Sequence, residues 1–273
     1  MSKIKVMING LPGKMASAAA EYLSNAEGVE IVPFSLTGSR NPVNRCKIGS
    51  LEFELIRPKP DHALKSIVSN YGSIIAVDYT RPDAVNDNAR LYCENSVPFV
   101  MGTTGGDRAL LEETIKNSGI AAVVAPNMDK QIVAFQDMMR YLSETYQGLF
   151  SGFTLEIRES HQATKADTSG TARAMVGYFN RLGIPFTEEQ IVMVRDSNEQ
   201  LNMGVPELAL TGHAWHTYTL RRGNTSLFSF THNINGRKGY AAGTLDALRF
   251  LEQKIASGGE GRMYSMMDVA KGL

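Results

Sequence analysis

The chain has 273 residues, 43% of them hydrophobic, and its 28 basic side chains balance 28 acidic ones to a formal net charge of zero. That length supports a sizeable core in one large or two modest domains. The balanced charge provides no global field that would select nucleic acid or a membrane surface, and no apolar run approaches the roughly 18 residues of a membrane span.

Residues 3–8 read as a buried strand, 13–25 as an Ala-rich helix and 29–37 as a second strand, a β-α-β opening. The start Met-Ser-Lys-Ile-Lys has no signal-type apolar region, and Cys46 and Cys93 lack ligand spacing, so reduced thiols and a cytoplasmic location are expected. Gly10 and Gly13 fall between the first strand and its helix, with Lys14 and Met15 just beyond. Glycine permits the tight turn and lets backbone approach a pyrophosphate, which the helix N-terminus attracts. An ordinary glycine turn has the same composition; the β-α-β context favours a nucleotide.

Dinucleotide folds that prefer NAD place an acidic residue at the end of the second strand. Here Leu36-Thr37-Gly38-Ser39-Arg40 stands there, with no carboxylate to repel a 2′-phosphate and with Ser39 and Arg40 able to bind one. NADPH is therefore the expected cofactor, with NADH as a second option, although Arg40 also reads as a solvated loop residue. Lys14 and Arg81 are further candidate phosphate partners.

Next come a strand over 73–78, a helix over 82–95 with Pro82 in its first turn, a strand over 98–101, a helix over 107–118 and a strand over 120–125. Repeated strand-helix-strand units imply a Rossmann-like, doubly wound α/β fold with a parallel sheet. Asp78-Tyr79-Thr80 and Gly102-Thr103-Thr104-Gly105 follow strands, where such sheets bind ligands, though plain turns share this composition.

After Pro126 the rhythm breaks. A helix over 129–146 leads to a strand over 153–159, a polar cluster and a helix over 171–182. Strands over 213–220 and 226–232 then flank a turn at Arg221-Arg222-Gly223-Asn224. This predicts a second, α+β domain over 129–238 for substrate binding and oligomerisation. The final helix, 240–255, with Leu245, Leu248 and Leu251 on one face, is expected to return to a first domain made of 1–128 plus 239–273.

Within the polar cluster, His161 and Lys165 lie four residues apart and Ser169-Gly170-Thr171 opens the helix. Free N–H groups and partial positive charge at a helix start suit a carboxylate or phosphate, beside which His161 and Lys165 offer protons. The same residues also read as a plain N-cap ahead of Ala172, Met175, Val176 and Phe179, with His161 and Lys165 on a solvated loop. His213 and His216, three apart on a strand, point to opposite faces, so no metal site is expected; His232 is left unassigned.

In order, Gly10-x-x-Gly13-Lys14-Met15, Asp78-Tyr79-Thr80-x-Pro82, Gly102-Thr103-Thr104-Gly105, Pro126-Asn127-Met128, Glu159-x-His161-x-x-x-Lys165 and Ser169-Gly170-Thr171 resemble the dihydrodipicolinate reductase family. The resemblance spans nearly the whole chain. Departures from the common bacterial pattern are Gln162 in place of a second His, a Lys165-to-Ser169 spacing one residue shorter without the usual Pro, Ala16 for a third glycine, and an expanded 183–212 region. They resemble the plant-type branch.

The resemblance implies NAD(P)H-dependent reduction of 4-hydroxy-tetrahydrodipicolinate in the diaminopimelate route to lysine, by a homodimer or homotetramer in the cytoplasm, or in the plastid stroma after loss of a transit peptide. It implies that His161 orients or acidifies, that Lys165 donates the proton, and that Ser169, Gly170 and Thr171 hold one carboxylate of the dicarboxylate substrate. Arg237, after the last strand where the family places a basic residue, would take the second carboxylate, although it also reads as a turn residue. The cofactor set is Gly10, Gly13, Lys14, Met15, Ser39, Arg40, Asp78, Thr80, Arg81, Gly102, Thr103, Thr104 and Asn127. Two alternatives stand beside this reading. A semialdehyde-type dehydrogenase needs a thiolate, whereas Cys93 is expected inside a helix and Cys46 in a loop. A non-catalytic NADP(H) sensor would have no need of the His161/Lys165 pair.

Overall fold

In a computed structural model, which describes residues 3–57, 61–259 and 261–272, the chain splits into two compact units, Met1–Lys130 with Lys238–Leu273, and Gln131–Arg237. Unit 1 is built on strands β1 (Ile4–Asn9), β2 (Val29–Val32), β6 (Ile75–Asp78), β7 (Phe99–Met101), β8 (Ala122–Val124) and β13 (Met263–Tyr264), all paired in parallel in the order β13-β8-β7-β6-β1-β2. The strands are short, nearly continuous apolar runs because parallel sheets are covered on both faces. Chain order reverses between β1 and β6, which makes the carboxyl ends of those two strands the topological switch point.

Helices α1 (Lys14–Ser24), α3 (Val85–Glu94) and α4 (Arg108–Ser118) connect the strands. In α1 the buried side chains are Ala16, Ala19, Ala20 and Leu23, small enough for close packing on the sheet and on α8 (Lys238–Ala256). Helix α8 buries Leu245, Leu248 and Leu251, as its spacing predicts, and also Ala241 and Gly243. A β-carbon on Gly243 would strike the Met128 carbonyl, so the helix seats there only with glycine. The last helix of the unit is α9 (Met266–Lys271).

Two expectations for this unit change. The segment 29–37 is not one strand: Pro33, which cannot donate to a ladder, ends β2, and β3 (Phe34–Leu36) joins a separate three-stranded sheet. In that sheet β3 pairs in parallel with β5 (Leu51–Ile56), and β5 pairs antiparallel with β4 (Arg45–Ile48). Cys46 accordingly lies on a strand rather than in a loop. Helix α2 (Asp61–Tyr71) then leads back to β6.

Unit 2 has a four-stranded sheet in the order β10-β9-β11-β12, made of β9 (Thr154–His161), β10 (Val192–Val194), β11 (His213–Arg222) and β12 (Ser226–Asn235). β11 runs antiparallel to both neighbours and β10 parallel to β9. Ile157, Tyr218 and Leu220 pack with Met175, Val176 and Phe179 of α6 (Gly170–Arg181) and with Met139 of α5 (Lys130–Thr145), whose first residue belongs to unit 1. The strands β11 and β12 run further than expected, so the connecting turn shortens to 223–225. Helix α7 (Ser197–Asn202) follows β10.

Candidate active site

In unit 1, the carboxyl ends of β1, β3 and β6 surround a cavity of about 720 Å³ lined by Gly10, Gly13, Ser39, Arg40, Thr80 and Arg81 among others. Gly10 has φ +106°, and a β-carbon there would strike the Tyr79 carbonyl, so the turn out of β1 requires glycine. Gly13 caps α1, and Lys14 and Met15 form its first turn, where helix N–H groups lack internal acceptors. A bare glycine turn, a helix N-terminus and Ser39 and Arg40 past β3 suit a dinucleotide pyrophosphate with a 2′-phosphate. Arg81 is committed to Asp83, at 3.0 and 3.2 Å. Arg57 also lines this cavity and donates to the Asn41 and Val43 carbonyls at 3.1 and 3.4 Å; its only sequence signal was its place at the end of an alternating run.

Asp78 lies elsewhere than expected. It is fully buried and accepts from the Thr80 N–H (3.0 Å) and hydroxyl (2.7 Å), Asn88 (2.9 Å), Tyr92 (2.7 Å) and Thr103 (2.7 Å). Burial, and then this carboxylate, push the Tyr92 hydroxyl well up. Asp78 and Thr103 therefore tie the ends of β6 and β7 together from inside the fold instead of facing a ligand. Gly102 packs under the Tyr79 ring, and the Tyr79 hydroxyl reaches Thr244 of α8 at 2.5 Å. Exposed Thr104 and half-buried Asn127, which follow β7 and β8, lie along the same carboxyl edge.

In unit 2, β9 ends on Glu159-Ser160-His161, and Ser169 caps α6 with its hydroxyl accepting from the Thr171 N–H at 3.3 Å. Register places Ala214 opposite both His161 and Ile234, so Arg237, just past β12, belongs to the same end of the sheet as His161. There its guanidinium lies against Gly212. Lys165 in the intervening loop donates to Asp167 at 2.7 Å.

Glu159 is fully buried, 2.6 Å from the Arg195 guanidinium, and accepts the Ser169 N–H at 3.0 Å. His161 meets His216 edge-on at 5.1 Å between ring centres, and His216 stacks on His232 at 4.6 Å. Burial, then the positive charges of Arg195 and Lys165, push His161 down to about 3; burial holds His216 well below its usual value as well. Both shifts favour the neutral imidazole, which suits His161 to hydrogen bonding.

Glu159, His161 and His216 bring ligand-type atoms within 4.8 Å of one another, a grouping the pairing of His213 with His216 did not anticipate. The Glu159 oxygens are already taken by a guanidinium and an N–H, and that adjacent positive charge opposes a cation. His213 turns away from the group, its ring 2.7 Å from the Ser160 hydroxyl and 3.2 Å from the Ala209 carbonyl. Sequence reasoning gave no role to Glu159, Arg195, Gln200 or His216, which strand register and a distant segment bring together. Burial pushes the Cys46 and Cys93 thiols up, the opposite of what the thiolate nucleophile of a semialdehyde-type dehydrogenase needs.

Comparison with known proteins adds three findings. Residues 4–128 match the family model described as dihydrodipicolinate reductase, N-terminus, and residues 132–270 the one described as its C-terminus. A probable 4-hydroxy-tetrahydrodipicolinate reductase 1, chloroplastic, of Oryza sativa subsp. japonica is 45% identical over 97% of this chain and 78% of its own length. A 4-hydroxy-tetrahydrodipicolinate reductase 2, chloroplastic, of Arabidopsis thaliana is 44% identical over 98% and 77%. Among solved structures, dipicolinate-bound dihydrodipicolinate reductase from Paenisporosarcina sp. TG-14 superposes with a TM-score of 0.65 at 19% identity, covering 96% of this chain and 97% of that one, a likeness of fold.

Proposed function

Because the chain belongs to the dihydrodipicolinate reductase family, we infer that it catalyses the NAD(P)H-dependent reduction of 4-hydroxy-tetrahydrodipicolinate to tetrahydrodipicolinate in the diaminopimelate route to lysine. The observation that carries this reading at the level of residues is the gathering of His161, Lys165, the α6 N-terminus and Arg237 at one end of the unit 2 sheet. A dicarboxylate that accepts a hydride and then a proton needs two anion sites, a cation and an acid.

Bound NAD(P)H supplies the hydride. In unit 1 the Gly10–Gly13 turn and the α1 N-terminus hold the pyrophosphate, and Ser39 and Arg40 hold the 2′-phosphate, which favours NADPH over NADH. In unit 2 the Ser169 hydroxyl and the N–H groups of Gly170 and Thr171 hold one carboxylate while Arg237 holds the other. His161, neutral, orients the substrate by hydrogen bonding. Once the substrate has lost water to become a conjugated imine, the hydride goes to the far carbon of the ring C=C bond. Lys165 delivers the proton to the other carbon of that bond, beside the imine, which the product retains; the lysine charge also favours a dianion. The acidic partner Asp167 keeps Nζ in place until substrate arrives.

Unit 2 also carries the assembly surface in this reading. β12 is a long edge strand with Leu227 and Phe228 exposed at 55% and 44%, which suits a homodimer or homotetramer. Among the described residues, no helix is long and apolar enough to cross a membrane. With two relatives named chloroplastic, we place the chain in the plastid stroma, or in the cytoplasm if it has no plastid to enter.

The test is a coupled assay in which the preceding synthase generates the substrate and NADPH absorbance is followed. Loss of absorbance that depends on both proteins is expected. No loss beyond the synthase-only rate would overturn the assignment.

A further inference from the structure

The segment 183–212 has no part in the chemistry just described, yet two of its side chains reach the loop that joins β9 to α6. Arg195, just past β10, donates from Nε to the Lys165 carbonyl at 2.8 Å, and from Nη2 to Glu159 Oε1 at 2.6 Å and the Asp167 carbonyl at 3.3 Å. Its Nη1 donates to the Val194 carbonyl at 3.0 Å and the Glu159 carbonyl at 3.5 Å. Gln200 of α7, fully buried, donates to the His161 carbonyl at 2.7 Å and the Val194 carbonyl at 3.2 Å. Glu159 in turn accepts the N–H of Ser169, the residue that caps α6.

The loop is thus gripped at its start by Gln200, along its length by Arg195 and at its end by Glu159. Its own backbone contributes a turn closed from the Lys165 N–H to the Gln162 carbonyl at 2.9 Å. An ammonium on a flexible four-carbon stem delivers a proton only if its main chain stays still, and ordering a loop costs backbone entropy that these contacts must offset. The guanidinium fork also meets the need of Glu159, a buried carboxylate that would otherwise lack an opposite charge. A single side chain so binds the lysine main chain and the cap of the anion-holding helix into one rigid piece.

We propose that Arg195, assisted by Gln200, is a positioning residue of the reaction: it fixes Lys165 and the Ser169 N-cap relative to His161, and this is the task of the 183–212 segment. The proposal rests on the reductase reading, because it treats Lys165 and Ser169 as groups that face substrate. Arg195→Lys keeps a positive charge beside Glu159 but cannot span two carbonyls and a carboxylate, and Arg195→Ala loses both functions.

The experiment measures kcat and KM in the coupled assay, NADPH affinity by fluorescence and the thermal midpoint, for the unaltered protein and both variants. Arg195→Lys is expected to fold, to lose about tenfold in kcat and to raise the substrate KM, with NADPH affinity unchanged within about twofold. Arg195→Ala is expected to fall further, and added guanidinium ion to restore part of its kcat. Variants whose kcat and KM both stay within about twofold of the unaltered protein would overturn the proposal. If neither variant folds, hydrogen exchange of the unaltered protein decides: the Lys165 and Ser169 amides exchanging as slowly as β9 support the clamp, and open-loop rates refute it. An unaltered protein without reductase activity would instead remove the reading beneath it, an outcome distinct from active protein with indifferent variants.

Discussion

Two buried carboxylates, one in each unit, solve the same problem in different ways. Asp78 and Glu159 both sit at the carboxyl end of a strand, and both are fully shielded from solvent. Asp78 is satisfied by neutral donors alone, from Thr80, Asn88, Tyr92 and Thr103. Glu159 is satisfied by a guanidinium and one N–H, with the rings of His161 and His216 at 4.0 and 3.7 Å. A neutral shell fixes backbone shape with groups that do not change charge near pH 7, which suits a cradle that only binds. The ion pair of Glu159 with Arg195 instead ties two chain segments together through opposite charges, so that loss of either partner strands the other in a buried place.

The largest expected effect separates the two units by chemistry. Lys165→Ala should cut turnover by roughly 100-fold or more, the scale of lost acid catalysis, and leave NADPH affinity and the urea midpoint nearly unchanged. An equal loss of NADPH affinity would break the division of labour. The converse change, Asp78→Ala, strands the Tyr92, Thr103 and Asn88 donors and should cost roughly 3 kcal/mol of stability in urea denaturation. A variant as stable as the original would show that the neutral shell holds nothing together.

Acid should sharpen the contrast. Burial lowers His161 from 6.5 to about 3 in the folded protein, and lowers His213 and His216 as well. The unfolded chain then binds more protons than the folded one over that interval, so stability present above about pH 6.5 is lost as pH falls towards 3, at up to about 1.4 kcal/mol per pH unit for His161, with losses of the same sign from His213 and His216. Unfolding followed through Trp215 of β11, the single tryptophan, should show a midpoint that drops steadily below pH 6.5. A midpoint flat to pH 4.5 would contradict the buried neutral rings. The smallest effect is expected for Arg40→Ala, which should weaken NADPH about tenfold and NADH by less than about twofold. Equal weakening of the two would refute a 2′-phosphate contact.

How much of this was legible in the chain depended on locality. The parallel sheet of unit 1 was readable because its strands are continuous apolar runs bounded by turn residues, as at Ile4–Asn9 and Ile75–Asp78. The small sheet was not, since Pro33 cuts an apolar run that looks unbroken, and the alternation at Arg45–Ile48 and Leu51–Ile56 is rich in charge. At the candidate site, His161, Lys165 and Ser169 share one short segment and could be read together. Arg195 and His216 could not, because they arrive through register: Val194 lies opposite Ser160, and His216 opposite Glu159. Asp78 shows the remaining blind spot, for a strand-end position does not reveal whether the side chain turns inward or towards a ligand.

The return of α8 to α1 has a consequence for how the molecule is made. Unit 2 is one uninterrupted stretch of chain, whereas α1 precedes it in the chain and gains the cover of α8 only after unit 2 has been synthesised. Unit 1, started before unit 2, is thereby completed after it.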